Sequence, residues 1–232
     1  MVSILLLTFL GSQAQILRVN QLNNISLSAS DSTIIDTLIR LHYYVNSNES
    51  PEVKAEIKNG PDIAFDSVYY SKDSSIRVFR YFWEDCGIYC FESDVVILVY
   101  ADSIQNKLRF LQVDNHLRGK VNKIEKIEEE KFLIFSNSWS RAQGGGSNHH
   151  SFAALVSTTS EAEILWSFEI YSSDQDDEAI QYLDYDNKTK MISYCHKFYD
   201  YDKPQRDYIK TGTWLYTNGN FNINNEKTVY RQ

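Results

Sequence analysis

The sequence predicts a mainly β protein, an antiparallel meander folded as a sandwich, an open barrel or a partial propeller, with one or two N-terminal helices. Three observations predict it. Short apolar runs rich in β-branched and aromatic residues follow one another, each bounded by Asp, Ser, Asn or Gly, at the roughly 8–12-residue spacing of antiparallel sheets. Asn218-Gly219, set between Leu215-Tyr216 and Phe221-Ile223, carries the residue pair that a type I′ hairpin turn needs at its two positive-φ positions. Few helical patterns stand between the runs beyond Ala64, which excludes a doubly wound α/β sheet.

The chain of 232 residues is long enough for one sizeable core. Residues 2–10 form an apolar run interrupted by Ser3 and Thr8, and Gly11, Ser12, Gln13 and Ala14 follow, so small residues stand at the −3 and −1 positions of a cut before Gln15. This pattern predicts a signal peptide over residues 1–14 and a periplasmic or extracellular mature chain. No apolar run is long enough to span a bilayer of about 30 Å, so no membrane span is expected. Residues 15–62 are expected as a helical N-terminal segment and residues 63–232 as the antiparallel β domain.

Residues 15–30 are rich in Asn, Gln and Ser and read as an extended lead-in. Ile34, Ile35, Leu38, Leu41 and Val45 recur with helical spacing, so one apolar stripe marks a helix capped by Ser30 or Asp31 that lies on the sheet. Ser50-Pro51-Glu52 opens a second short helix, with Gly60 as its stop. Strands are then expected at residues 65–70, 76–83, 95–100 and 108–113, with a long crossing over residues 86–93. Val121, Ile124 and Ile127 fit either a strand or a helical turn. Further strands are expected at 132–135, 152–156, 164–170, 180–185, 191–198 and 207–216, before the return strand of Phe221 and Ile223.

Two of these segments carry a resemblance. Residues 73–83, Asp-Ser-Ser-Ile-Arg-Val-Phe-Arg-Tyr-Phe-Trp, and residues 131–136, Lys-Phe-Leu-Ile-Phe-Ser, followed by a glycine-rich tip and another strand, resemble segments of uncharacterised exported β-rich proteins from Bacteroidota. The resemblance covers about a third of the chain. It implies an origin and a compartment, and no activity.

The formal net charge of −8 argues against a phosphate-backbone partner, so no nucleic acid is expected. The most basic stretch, residues 118–131, mixes four lysines and an arginine with four glutamates and reads as a solvated face. Among three cysteines, Cys86 and Cys90 are the close pair, and an exported chain would allow them one short disulfide or leave two independent thiols. Cys195 reads as a buried filler.

Four features are candidates for chemistry or binding. The tip containing Gly144, Gly145 and Gly146, then Ser147, Asn148, His149 and His150, offers either a flexible hairpin end or backbone N–H groups for an anion. His149 and His150 are adjacent and point to opposite faces of a strand, so zinc would need distant partners such as His116 or His196. Asp174, Asp176, Asp177 and Glu178 form a solvated acidic loop or a weak calcium site, without the EF-hand spacing. Phe198, Tyr199, Asp200, Tyr201 and Asp202 place rings beside carboxylates in an expected loop, which suits a glycan or protein ligand unless the rings only cover the sheet.

No nucleophile elbow, phosphate loop or metal motif accompanies these features. The expected function is a non-catalytic exported binding module using residues 198–202 and the tip, with no cofactor and an unspecified oligomeric state. One alternative is a secreted hydrolase with acids drawn from Asp174, Asp176, Glu178, Asp200 and Asp202. Another is an envelope structural or assembly component, which would present a large apolar patch.

Overall fold

The computed structural model describes residues 25–46, 63–85, 91–102, 106–113, 117, 119–141, 147–159, 162–174, 178–199 and 203–230. Expectations for the signal peptide, the second short helix, Cys86, Cys90, His116, Gly144, Gly145, Gly146, Asp176, Asp177, Asp200, Tyr201 and Asp202 lie outside these residues. The fold is mainly β, as the run spacing requires. Among the described residues one α-helix, α1 (Asp31–Asn46), precedes twelve strands, which form three four-stranded antiparallel sheets in sequential order. The chain divides into two compact units, residues 1–113 and 114–232.

In the first unit, β1 (Ile63–Tyr70), β2 (Ile76–Asp85), β3 (Phe91–Asp102) and β4 (Lys107–Gln112) form sheet A. The helix begins where its sequence signals place it: Ser30 accepts the Ile34 amide at its carbonyl and the Thr33 amide at its hydroxyl. Asp31, in the first turn, accepts a hydrogen bond from Tyr70 and pairs with Arg77 at 2.7 Å, tying the helix start to β1 and β2. Ile34 and Leu38 pack on Phe79, Ile97, Val99, Leu108 and Phe110, so the front of the predicted stripe lies on the sheet. The expected crossing over residues 86–93 is shorter than the apolar pattern indicated. Asp85 pairs with Phe91, and Glu84 with Glu92, because ladder hydrogen bonds extend the β2–β3 hairpin through polar residues that an apolar-run criterion leaves out.

In the second unit, β5 (Lys120–Glu128), β6 (Lys131–Arg141), β7 (Ser147–Ser157) and β8 (Glu163–Asp174) form sheet B. Sheet C contains β9 (Glu178–Asp186), β10 (Met191–Tyr199), β11 (Tyr208–Thr217) and β12 (Asn220–Tyr230). The undecided segment of Val121, Ile124 and Ile127 is a strand, paired with β6. Asn218 and Gly219 have φ of 54° and 81°, the positive pair that the hairpin signal requires. Ile127, Leu133, Phe135, Ala153 and Leu155 of sheet B pack on Tyr185, Ile192 and Phe221 of sheet C, so this unit is a two-sheet sandwich. Trp166 fills the layer between them, with ring centroids 5.0 Å from Phe221 and 5.4 Å from Trp214. No sheet closes into a barrel among the described residues.

Candidate binding edge

Antiparallel order brings separated sequence features to one end of the sandwich. Ser147 pairs with Asp174 at the start of β7 and the end of β8, and Glu178 pairs with Tyr199 at the start of β9 and the end of β10. Tyr208, at the start of β11, pairs with both Phe198 and Tyr230. The glycine-rich tip, the acidic segment and the aromatic segment therefore adjoin strand ends at the same end of this unit.

Their local settings differ from a row of loops. Phe198 lies in β10, as the strand expected over residues 191–198 has it, and Tyr199, expected in a loop, is the last residue of that strand, because the ladder to β9 continues past the point where the apolar pattern fades. Phe198 stacks on Tyr208 at 5.4 Å with rings 24° apart, so one face of each ring is consumed in the sheet. Ser147 through His150, expected in the glycine-rich tip, belong to β7 instead. His150 stacks on Phe152 and hydrogen-bonds Glu169 across to β8. Asp174 and Glu178 are strand ends, and the placement of their side chains and that of His149 lies outside the description.

His196 is 8% exposed and does not face open solvent. Its Nδ1 lies 3.3 Å from Tyr208 OH, the rings meet edge to face, and Nε2 has no hydrogen-bond partner. Two positions along β10 from His196, Tyr194 donates to Glu226, which also pairs with Lys210 at 3.1 Å. These hydrogen bonds hold the Glu226 carboxyl below its usual range, while burial, then Glu226, raises the Tyr194 phenol. Gly212 is required beneath this ring, since a Cβ there would lie 2.5 Å from Tyr194. Cys195, on the opposite face, is half-buried rather than a fully buried filler, because that face of β10 looks outward.

Burial, then the charge of Lys210, holds the His196 imidazole below its ordinary range. The unfolded chain therefore takes up a proton near pH 6.5 that the native state resists, and stability falls as pH drops below about 6.5 toward the lower native value. Titration of the paired carboxylates belongs to a more acidic window. Urea unfolding between pH 7.5 and 5 is expected to show this loss in wild type and a flatter profile in His196→Phe. An equal slope in both would assign the loss to other groups.

At the end of sheet C, Tyr199, Asp207, Tyr208, Ile209, Val229 and Tyr230 line an open cleft of about 200 Å³, with Ile209 and Val229 from the outward face and Tyr208 and Tyr230 from the face that carries His196. That volume is below the ~300–1,000 Å³ of small-molecule sites and matches one inserted side chain. Asp207 is 4% exposed, so the accessible lining is overwhelmingly apolar. Ile209, Val229 and Tyr230 are 38%, 48% and 63% exposed. Beside the cleft runs β12, an eleven-residue strand at the edge of sheet C that pairs with β11. Every residue from 222 to 230 is exposed. A bulge sets Asn224 outside the ladder between the Trp214–Ile223 and Thr213–Asn225 pairs, and beyond it the edge is regular to Tyr230.

Sequence reasoning named Tyr199 and missed Asp207, Tyr208, Ile209, Val229 and Tyr230. Counting back from the Asn218-Gly219 turn sets Ile209 opposite position 228, one residue short of its partner Val229, since the bulge adds that residue. Among the described residues, no three His, Cys, Asp or Glu side chains come together as metal ligands, and no helix is long and apolar enough to cross a membrane. Comparison of the chain with family models, curated proteins and solved structures finds no match.

Proposed function

We propose that this chain is a non-catalytic interaction module of the periplasm or cell exterior, and that its ligand is a protein segment added to the edge of sheet C. The observation that carries the reading is the juxtaposition of a regular edge over residues 225–230 with a side-chain-sized apolar cleft beside it. In an antiparallel strand every second residue turns its N–H and C=O away from its neighbour, so β12 offers a row of backbone groups to an incoming strand. Main-chain bonds supply affinity in such complexes and alternate side-chain pockets supply specificity. A protein ligand is favoured over a glycan because Phe198 and Tyr208 stack on each other instead of presenting paired open faces to a sugar ring. The export pattern in residues 2–14 supports the compartment.

An envelope assembly role shares this surface, since Ile209, Ile223, Val229 and Tyr230 are four of the six exposed large apolar residues described. The test is selection from a random peptide display library and a glycan array, on the full chain and on Val229→Lys. Extended peptides should be recovered by wild type and lost by the variant, with the same circular dichroism in both. Glycan binding unaffected by Val229→Lys, or turnover of generic ester, peptide or glycoside substrates, would reverse the assignment.

A further inference from the structure

The outward face of sheet C carries a charge pattern that selects among extended segments. Side chains alternate between faces along a strand, so Lys197, Tyr199, Ile209, Lys227 and Val229 share the outward face. In the ladder, Lys197 pairs with Ile209 and Ile209 with Val229, while Cys195 pairs with Thr211 and Thr211 with Lys227. Lys197 thus stands in the same row as the apolar Ile209–Val229 pair, on its β10 side, and Lys227 stands in the next row, beside Val229 on β12. Neither Lys197 nor Lys227 forms an ion pair among the described residues. The acidic residue nearest on β12, Glu226, points to the opposite face and is already neutralised by Lys210 and bonded by Tyr194. Asp207 is buried. The open edge of a chain of net charge −8 therefore carries an apolar residue, Val229, with a lysine, Lys227, beside it on β12.

We propose that the occupant of this edge is an acidic extended peptide segment, which adds as a fifth strand beside β12 with an apolar side chain against Val229 and a carboxylate opposite Lys227. The assignment rests on the strand-addition reading above and adds the chemistry of the partner. Residues facing Val229 and Lys227 are two apart in the incoming strand, so the segment recognised alternates, with an aromatic or aliphatic residue and an Asp or Glu at i and i+2 on one side. Lys197, in the apolar row and two strands in from the edge, adds only a weaker long-range attraction for acidic residues in the segment.

Two labelled heptapeptides of alternating pattern provide the test, Thr-Glu-Thr-Phe-Thr-Glu-Thr and its counterpart with Lys at both Glu positions, each blocked at both ends and titrated into the full chain at low salt. The acidic peptide should bind about fivefold more tightly, given a cross-strand charge interaction at Lys227 that changes from attractive to repulsive. Lys227→Glu, at an exposed position, should reduce or invert that preference while leaving the circular dichroism unchanged. Amide shifts in residues 225–230 with either peptide and no preference between them would overturn the acidic assignment and leave strand addition standing. Neither peptide perturbing those amides would overturn both. Concentration-dependent dimerisation abolished by Val229→Lys would make a second copy of the chain the occupant and overturn the proposal.

Discussion

Phe221→Ala is expected to destabilise the second unit by about 3–5 kcal/mol, the cost of removing a large aromatic side chain from a packed core. Phe221 is 3% exposed, with ring centroids 5.0 Å from Trp166, 5.2 Å from Tyr216 and 6.1 Å from Tyr185. It is also the sole β12 residue whose side chain is buried. Without it, β12 keeps its ladder to β11 and the Glu226 contacts to Tyr194 and Lys210 but no buried side chain, so local opening of this strand should become easier than opening of β10. Urea unfolding of the full chain should show the loss in the transition of the second unit, with that of the first unit unchanged. A loss below about 1 kcal/mol would mean that β12 is not anchored by this ring.

Gly119→Ala is expected to cost about 3 kcal/mol or more. Gly119 has φ of +74°, where a Cβ costs roughly 1–2 kcal/mol by itself. The added Cβ would also lie 2.0 Å from the carbonyl oxygen of Asn137 and 2.5 Å from the Ser138 Cα, so backbone must move. The displacement falls where β5 begins its pairing with β6, at Lys120 and Asn137. Gly219→Ala is the matched comparison. Its φ of +81° carries the same conformational cost, yet its Cβ would meet only the end of the Lys131 side chain, at 2.8 Å. That flexible amine can move aside, so Gly219→Ala should cost about 1–2 kcal/mol. Equal losses in the two variants would contradict the assignment of the larger effect to the β5–β6 clash.

Much of the fold was legible because its signals are local. Ser30 before the apolar stripe gave the start of α1, and Asn218-Gly219 gave the β11–β12 hairpin down to its backbone angles. Polar continuations were less legible: residues 84–85 and 91–94 of β2 and β3 contain four carboxylates, and the ladder between the two strands runs through them. Tyr199, one residue past the expected strand, is likewise held in β10 by its pairing with Glu178. The cleft was only partly legible because it depends on register across three strands. Tyr199 announced itself as an aromatic beside acids, whereas Ile209 and Val229 are ordinary strand residues in sequence. Their significance comes from β12 being an edge, and no spacing within β12 distinguishes an edge strand from a central one.

The most direct test of the open edge is amide hydrogen exchange across β12 in the full chain, alone and with the acidic heptapeptide at saturation. The account predicts alternating protection over residues 225–230 in the free protein, with the N–H groups bonded to β11 slow and those directed outward fast. On binding, the fast set should become slow and the set facing β11 should change little. Uniform protection of residues 225–230 in the free protein would contradict the account, because it would mean that the edge of sheet C is already covered.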